Sequence, residues 1–145
     1  MSLDKLTFQE IDQLDDSKKR EAILGLGHPE NYEAYDFLAR YVGTDFRHQV
    51  LISMANINYA STIDILIGIM QKEKGGKSIA SLSCIFFDRI ASIGEKEFLQ
   101  ELKNLRPLET DLRRELYTAL EEGIILTDIE DTGAYLSNAK KVLQI

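Results

Sequence analysis

The chain has one cysteine, two prolines and two histidines in 145 residues, and each scarcity removes a class of answer. Cys84 has no second thiol within the chain, so no internal disulfide frames the fold; this suits a reducing compartment. His28 and His48 lack the spacing of a ligand pair such as i and i+4, so with Asp45 and Asp128 they make a weak case for a metal site. The prolines, Pro29 and Pro107, fall where helical patterns stop. No apolar run approaches the ~18 residues of a membrane-spanning helix. The opening Met1-Ser-Leu-Asp-Lys-Leu-Thr-Phe lacks the apolar stretch of a secretion signal, which makes a cytoplasmic protein the expectation.

Basic residues are also in short supply. Seventeen Lys and Arg stand against 24 Asp and Glu, a net charge of −7. The densest basic clusters, Lys18-Lys19-Arg20 and Lys140-Lys141, are short. Such a field repels phosphate backbones, so no nucleic acid is expected. A basic protein is the electrostatically easier partner.

What the chain does have is repetition. Arg20-Glu-Ala-Ile-Leu-Gly-Leu-Gly-His-Pro29 is followed by Phe46-Arg-His-Gln-Val-Leu-Ile-Ser-Met-Ala-Asn-Ile57, and then by Leu112-Arg-Arg-Glu-Leu-Tyr-Thr-Ala-Leu-Glu-Glu-Gly123. A period of roughly 30 residues, with a basic residue opening each apolar run, marks stacked helix pairs. One pair cannot bury its apolar face alone, so the pairs are expected to share a continuous core.

The local signals fill in the units. Thr7-Phe8-Gln9-Glu10 has the form of a capping box and starts a short helix over 8–14. Asp15, Asp16 and Ser17 offer caps for a helix over 18–26, which Gly25, Gly27 and Pro29 end. Its partner over 30–42 places Tyr32, Tyr35, Leu38, Ala39 and Val42 on one stripe. Asp45 is read as the cap of the next helix, and Asn58 as turn and cap before Ile63-Asp-Ile-Leu-Ile-Gly-Ile-Met70. That last run is rich in β-branched residues and suits a strand in isolation; among helical repeats it reads as a central helix covered on both sides. Gln71-Lys-Glu-Lys-Gly-Gly-Lys77 is the clearest loop. Ile79, Leu82, Phe86, Ile90 and Ile93 define a helix ended by Gly94, and Phe98, Leu99, Leu102 and Leu105 its partner, stopped near Pro107. The expectation is one domain over 1–145, with units of about 17–44, 45–76, 77–108 and 109–123. An irregular connection over 124–131 leads to a capping helix over 133–143.

Arg20, Ala22, Leu24, Gly25, Gly27 and Pro29, with Asp45 and Arg47 opening the second unit and Arg113 the fourth, resemble the HEAT repeat. The likeness is to the short bacterial variety named after phycobilisome lyases, with His28 where that pattern usually has Asp. It covers about 17–123 and is poor in the third unit. The resemblance implies an all-α, right-handed superhelical solenoid of about four helix pairs; it says little about activity.

No constellation in the chain reads as chemistry. Gly75-Gly-Lys-Ser78 looks like the end of a phosphate-binding loop, but Gln71 stands where that motif needs glycine. Cys84, with Asp88 one turn on, lies in an apolar helix and reads as a core or near-core thiol. Asp128-Ile-Glu130-Asp131 lacks the other oxygen ligands of a calcium loop. No catalytic, cofactor-binding or metal-binding residue is assigned.

Two patterns point to binding instead. Tyr32, Tyr35, Phe37 and Tyr41 cannot all face one core stripe. The favoured reading packs the surplus against the N-terminal helix; the other exposes it as interface. The second pattern is a row of charges. By the resemblance, second helices line the concave side of the solenoid, and there they carry Glu33, Asp36 and Arg40, then Asp64, then Glu97 and Glu101. The expected function is a non-enzymatic, protein-binding module with an acidic groove. A narrower form is an immunity-like protein that neutralises a basic toxin domain. The enzymatic alternatives by resemblance are a bilin lyase, which needs a large apolar pocket, and a base-excising glycosylase, which needs a basic groove.

Overall fold

Local chemistry sets several helix ends. The Thr7 hydroxyl accepts from the Glu10 amide at 3.1 Å while the Glu10 carboxylate takes the Thr7 amide, a complete capping box for α1 (Phe8–Asp12). Asp15 caps α2 (Asp16–Gly25) by accepting from the Lys18 amide at 3.0 Å. These contacts come from a computed structural model that describes residues 6–73, 76–105 and 108–145. Of the loop expected over 71–77, Gln71 and Lys72 are helical instead, and Lys74-Gly75 lie outside the described residues, as do the stop at Pro107 and the segment Met1–Lys5.

The remaining elements are α3 (Tyr32–Ala39), α4 (Arg47–Ile57), α5 (Tyr59–Lys72), α6 (Ile79–Ile93), α7 (Glu95–Lys103), α8 (Thr110–Ile124) and α9 (Thr132–Leu143). The described residues are all-α: they contain no strand. None of their helices is long and apolar enough to cross a membrane.

Two local expectations need correcting. The helix expected over 30–42 ends at Ala39, because Arg40, Tyr41 and Val42 bond three residues back rather than four. Such bonds tighten and close a last turn. Asp45 does not cap α4. Thr44 organises that turn, its hydroxyl donating to the Tyr41 carbonyl at 2.6 Å and accepting from the Phe46 amide at 3.2 Å. Asn58 does act as cap, accepting from the Ser61 amide, and Gly94 ends α6 at φ +91°, a conformation that favours glycine.

The run Ile63–Met70 is helical despite its β-branched content. Ile63, Leu66, Ile67 and Met70 are buried at helical spacing, so packing overrides local strand preference. Cover is narrower than expected: Ile65 and Ile69 are half-buried and Asp64 is exposed.

The chain forms two compact units, Met1–Ile67 and Gly68–Ile145. In the first, α2 packs on α1 and α4, and α3 packs on α4, around Ile11, Ile23, Leu38, Val50 and Met54. Two bonds tie residues about one repeat apart: Ser53 Oγ donates to the Ile23 carbonyl at 2.8 Å, and the Tyr35 and Thr62 hydroxyls meet at 3.1 Å. Gly27 lets the chain approach closely here, since a Cβ on it would stand 2.7 Å from Ser53 Cα. In the second unit α6 packs on α7 and most extensively on α8, while α9 covers α7 and α8. Phe86 and Phe98 meet edge to face at 5.0 Å.

Candidate functional site

The aromatic surplus of α3 builds the floor of a surface depression. Phe37 sits on the side of α3 that faces α1, and its ring stacks on Phe8 at 4.5 Å and 8°. Tyr41 then meets Phe37 edge-on at 5.4 Å, and Phe46 meets Tyr41 at 5.9 Å. Phe37 and Tyr41 are buried; Phe37 packs against the N-terminal helix as the favoured reading expected, while Tyr41 packs between Phe37 and Phe46. Tyr32 is the correction: expected on the core stripe, it is 71% exposed, and Ala34, Phe37, Leu38 and Tyr41 form the buried face instead.

Cations settle on these rings. Lys19 Nζ lies 5.3 Å from the Phe46 centroid and Arg20 5.2 Å from it; contacts of this kind are worth about 0.5–1 kcal/mol where exposed. Much of the short basic cluster is thus committed to the chain's own aromatics.

Between α1 and α3 lies an open depression of about 480 Å³, lined by Phe8, Gln9, Asp12, Glu33, Asp36, Phe37 and Arg40. It brings together three of the six expected binding residues: Glu33, Asp36 and Arg40. Asp12, from α1, joins them. Arg40 lies over the Phe37 ring at 5.0 Å and 3.6 Å from the Asp12 carboxylate. That ion pair is exposed, and such pairs contribute about 0–1 kcal/mol. No described residue forms an ion pair with Glu33 or Asp36. The depression therefore carries three carboxylates against one guanidinium.

The other three expected residues do not line it. Asp64 is exposed on α5 and does not line the depression. Glu97 is exposed on α7. Glu101 is not a free carboxylate, which corrects the expected row. Arg89 Nε donates to both its oxygens at 3.1 and 3.0 Å, and Arg89 Nη2 donates to Oε1. This is a half-buried, bidentate pair, the strong geometry for a guanidinium and a carboxylate. Arg89 and Glu101 are 12 residues apart on successive helices, so no helical spacing announced the pair.

Gln9 and Asp12 carry no repeat spacing that would place them in the groove, although the Thr7–Glu10 capping box places their helix. The signal was the excess of aromatics on α3, which needed a partner outside the repeat.

Cys84 corrects another expectation, for it is exposed rather than core. On α6 the buried face runs through Ser81, Leu82, Ile85, Phe86 and Ile90, which leaves Ala80, Cys84 and Ala91 on the outer side. Partial desolvation raises the thiol pKa, and the Asp88 charge raises it further. The thiol is therefore protonated at neutral pH, unlike an activated nucleophile. The Asp88 carboxyl is itself raised by desolvation. Among the described residues no three His, Cys, Asp or Glu converge as metal ligands, and Asp131 is occupied as the cap of α9, accepting from the Ala134 amide at 3.0 Å.

Comparison with known proteins finds no matching family model, no matching curated protein and no matching solved structure.

Proposed function

We propose that this protein is a non-enzymatic binding module, a short right-handed solenoid of HEAT-like helix pairs that holds a basic segment of another protein against the α1–α3 depression. The solenoid reading is supported within each unit by packing of helices on their second neighbours, α2 on α4, α6 on α8 and α7 on α9. Bonds between residues 27 and 30 apart support it further.

The observation that carries the binding role is the placing of Asp12, Glu33 and Asp36 around the Phe8–Phe37 floor. A Lys or Arg side chain would find an aromatic surface for its stem and carboxylates for its head. The chain's own Arg40 occupies such a seat, between Phe37 and Asp12. Neutralisation of a basic toxin domain is a narrower form of the same reading, favoured by the net charge of −7. Charge complementarity of this kind acts mainly on encounter rate and specificity.

The test is affinity capture from native lysate at moderate salt with three immobilised proteins: the parent, Glu33→Lys with Asp36→Lys, and the control Glu21→Lys with Glu30→Lys. Glu21 and Glu30 are exposed in the same unit but do not line the depression. A protein retained by parent and control and lost by the depression pair is the expected result. Equal retention by all three, or equal loss in both pairs, overturns the assignment.

A further inference from the structure

From Glu115 to Ala139 the chain has no Lys or Arg and six carboxylates: Glu115, Glu121, Glu122, Asp128, Glu130 and Asp131. The same stretch holds the two most exposed large hydrophobic side chains among the described residues, Ile125 at 78% and Leu126 at 74%. Both lie in the connection between α8 and α9. Scattered exposed apolar residues are ordinary, but two adjacent ones beside an apolar depression are not. That depression, about 430 Å³, is lined by Ile124, Ile125 and Leu136, with Glu121 and Glu122 among its rim residues.

The turn is held in place. The Thr127 hydroxyl and amide both donate to the Ile124 carbonyl, at 2.7 and 3.0 Å. Asp131 fixes the start of α9 at the other end. Apolar side chains presented on a bonded turn lose little freedom when a partner covers them, which favours binding.

We propose that this turn docks a basic amphipathic helix of a partner protein. The apolar face of that helix covers Ile125 and Leu126, and its Lys or Arg residues meet Glu121, Glu122, Asp128 and Glu130. Charge selects the occupant: an anionic bilayer or a second copy of this acidic face would be repelled, while a cationic helix is drawn in. The surface involves helices other than those of the α1–α3 depression, so either assignment can fail without the other.

The experiment is fluorescence anisotropy with a labelled synthetic amphipathic helix of Leu and Lys, at low and high salt, alongside sedimentation of each protein. Ile125→Ser with Leu126→Ser is expected to weaken binding by roughly tenfold or more, as for loss of central apolar anchors. Glu121→Gln with Glu122→Gln should weaken it several-fold at low salt and little at high salt. Glu21→Gln with Glu30→Gln removes the same charge at exposed positions that line neither depression and should leave binding unchanged. All four substituted positions in the turn variants are exposed, and unchanged helical circular dichroism confirms folding. A probe that fails to bind the parent, or binds the Ser variant as tightly, overturns the proposal. So does equal weakening in the Glu21/Glu30 pair, or a parent dimer that dissociates in the Ser variant.

Discussion

Gly123 lies against the backbone of Ser83: a Cβ on Gly123 would stand 2.7 Å from the Ser83 carbonyl oxygen. The approach of α8 to α6 thus depends on the absence of one methyl group. Alanine at 123 would gain about 1 kcal/mol in helix propensity but incur an overpacking cost of about 1–3 kcal/mol. The obstructing atom is backbone and cannot swing away, so the clash should win. Gly68, inside α5, has nothing within 4 Å of a Cβ. Urea unfolding should show Gly123→Ala less stable than the parent and Gly68→Ala more stable by about 0.4–1 kcal/mol. An unaffected Gly123→Ala protein would mean that α6 and α8 separate freely.

Tyr135 is buried and donates its hydroxyl to the Glu95 carbonyl at 2.8 Å. Tyr135→Phe leaves that carbonyl without its partner and should reduce stability by about 1 kcal/mol. Burial, with the Glu95 charge adding to it, raises the phenol pKa above its ordinary value. A folded pKa raised above the unfolded one gives stability that is present below about pH 10, the ordinary tyrosine value, and lost as pH rises beyond it. Alkaline unfolding of Tyr135→Phe should therefore be less steep than that of the parent.

Asp88 makes the same sign argument at acid pH. Its folded pKa is raised by desolvation, so the native state favours the protonated form. Relative stability is present below the ordinary Asp pKa and is lost as pH rises through the folded value. Asp88→Asn should raise the melting temperature at neutral pH, with the gain shrinking towards about pH 3, below the unfolded value of about 3.9. A gain that persists undiminished in acid would mean the carboxylate is not the cause.

Arg113 holds the end of the chain. Its Nη1 donates to the carbonyls of Leu143 and Gln144 at 3.1 and 3.3 Å, and Nη2 donates to Thr110 Oγ1 at 3.0 Å. Cations suit helix C-termini, where carbonyls lack intrahelical partners. Arg113→Ala should cost about 1.5–3 kcal/mol, the range for hydrogen bonds to charged groups. Hydrogen exchange should quicken first in α9. Loss of protection spread evenly over both units would contradict this local role.

Sequence alone determined where several helices start and stop, because those signals act within four residues. The Thr7–Glu10 capping box, the Asp15 and Asn58 caps and the Gly94 terminator are all of that range. Ile63–Met70 became legible as helix once the neighbouring repeats were weighed against its local preference. The charges around α3 were readable too, since Glu33 and Asp36 lie on one short helix and Arg40 is its C-cap. Only tertiary structure decided which side chains those helices present and to what. Phe37 is buried because Phe8, 29 positions earlier in the sequence, stacks on it, and Tyr32 is left outside. Glu101 is paired because α6 and α7 bring Arg89 to it, and Cys84 faces out because the buried side of α6 runs elsewhere. Asp12 enters the depression only because α1 lies beside α3. Those outcomes turn on which face of each helix its neighbours cover, and that depends on contacts between positions far apart in the chain, which no local spacing encodes.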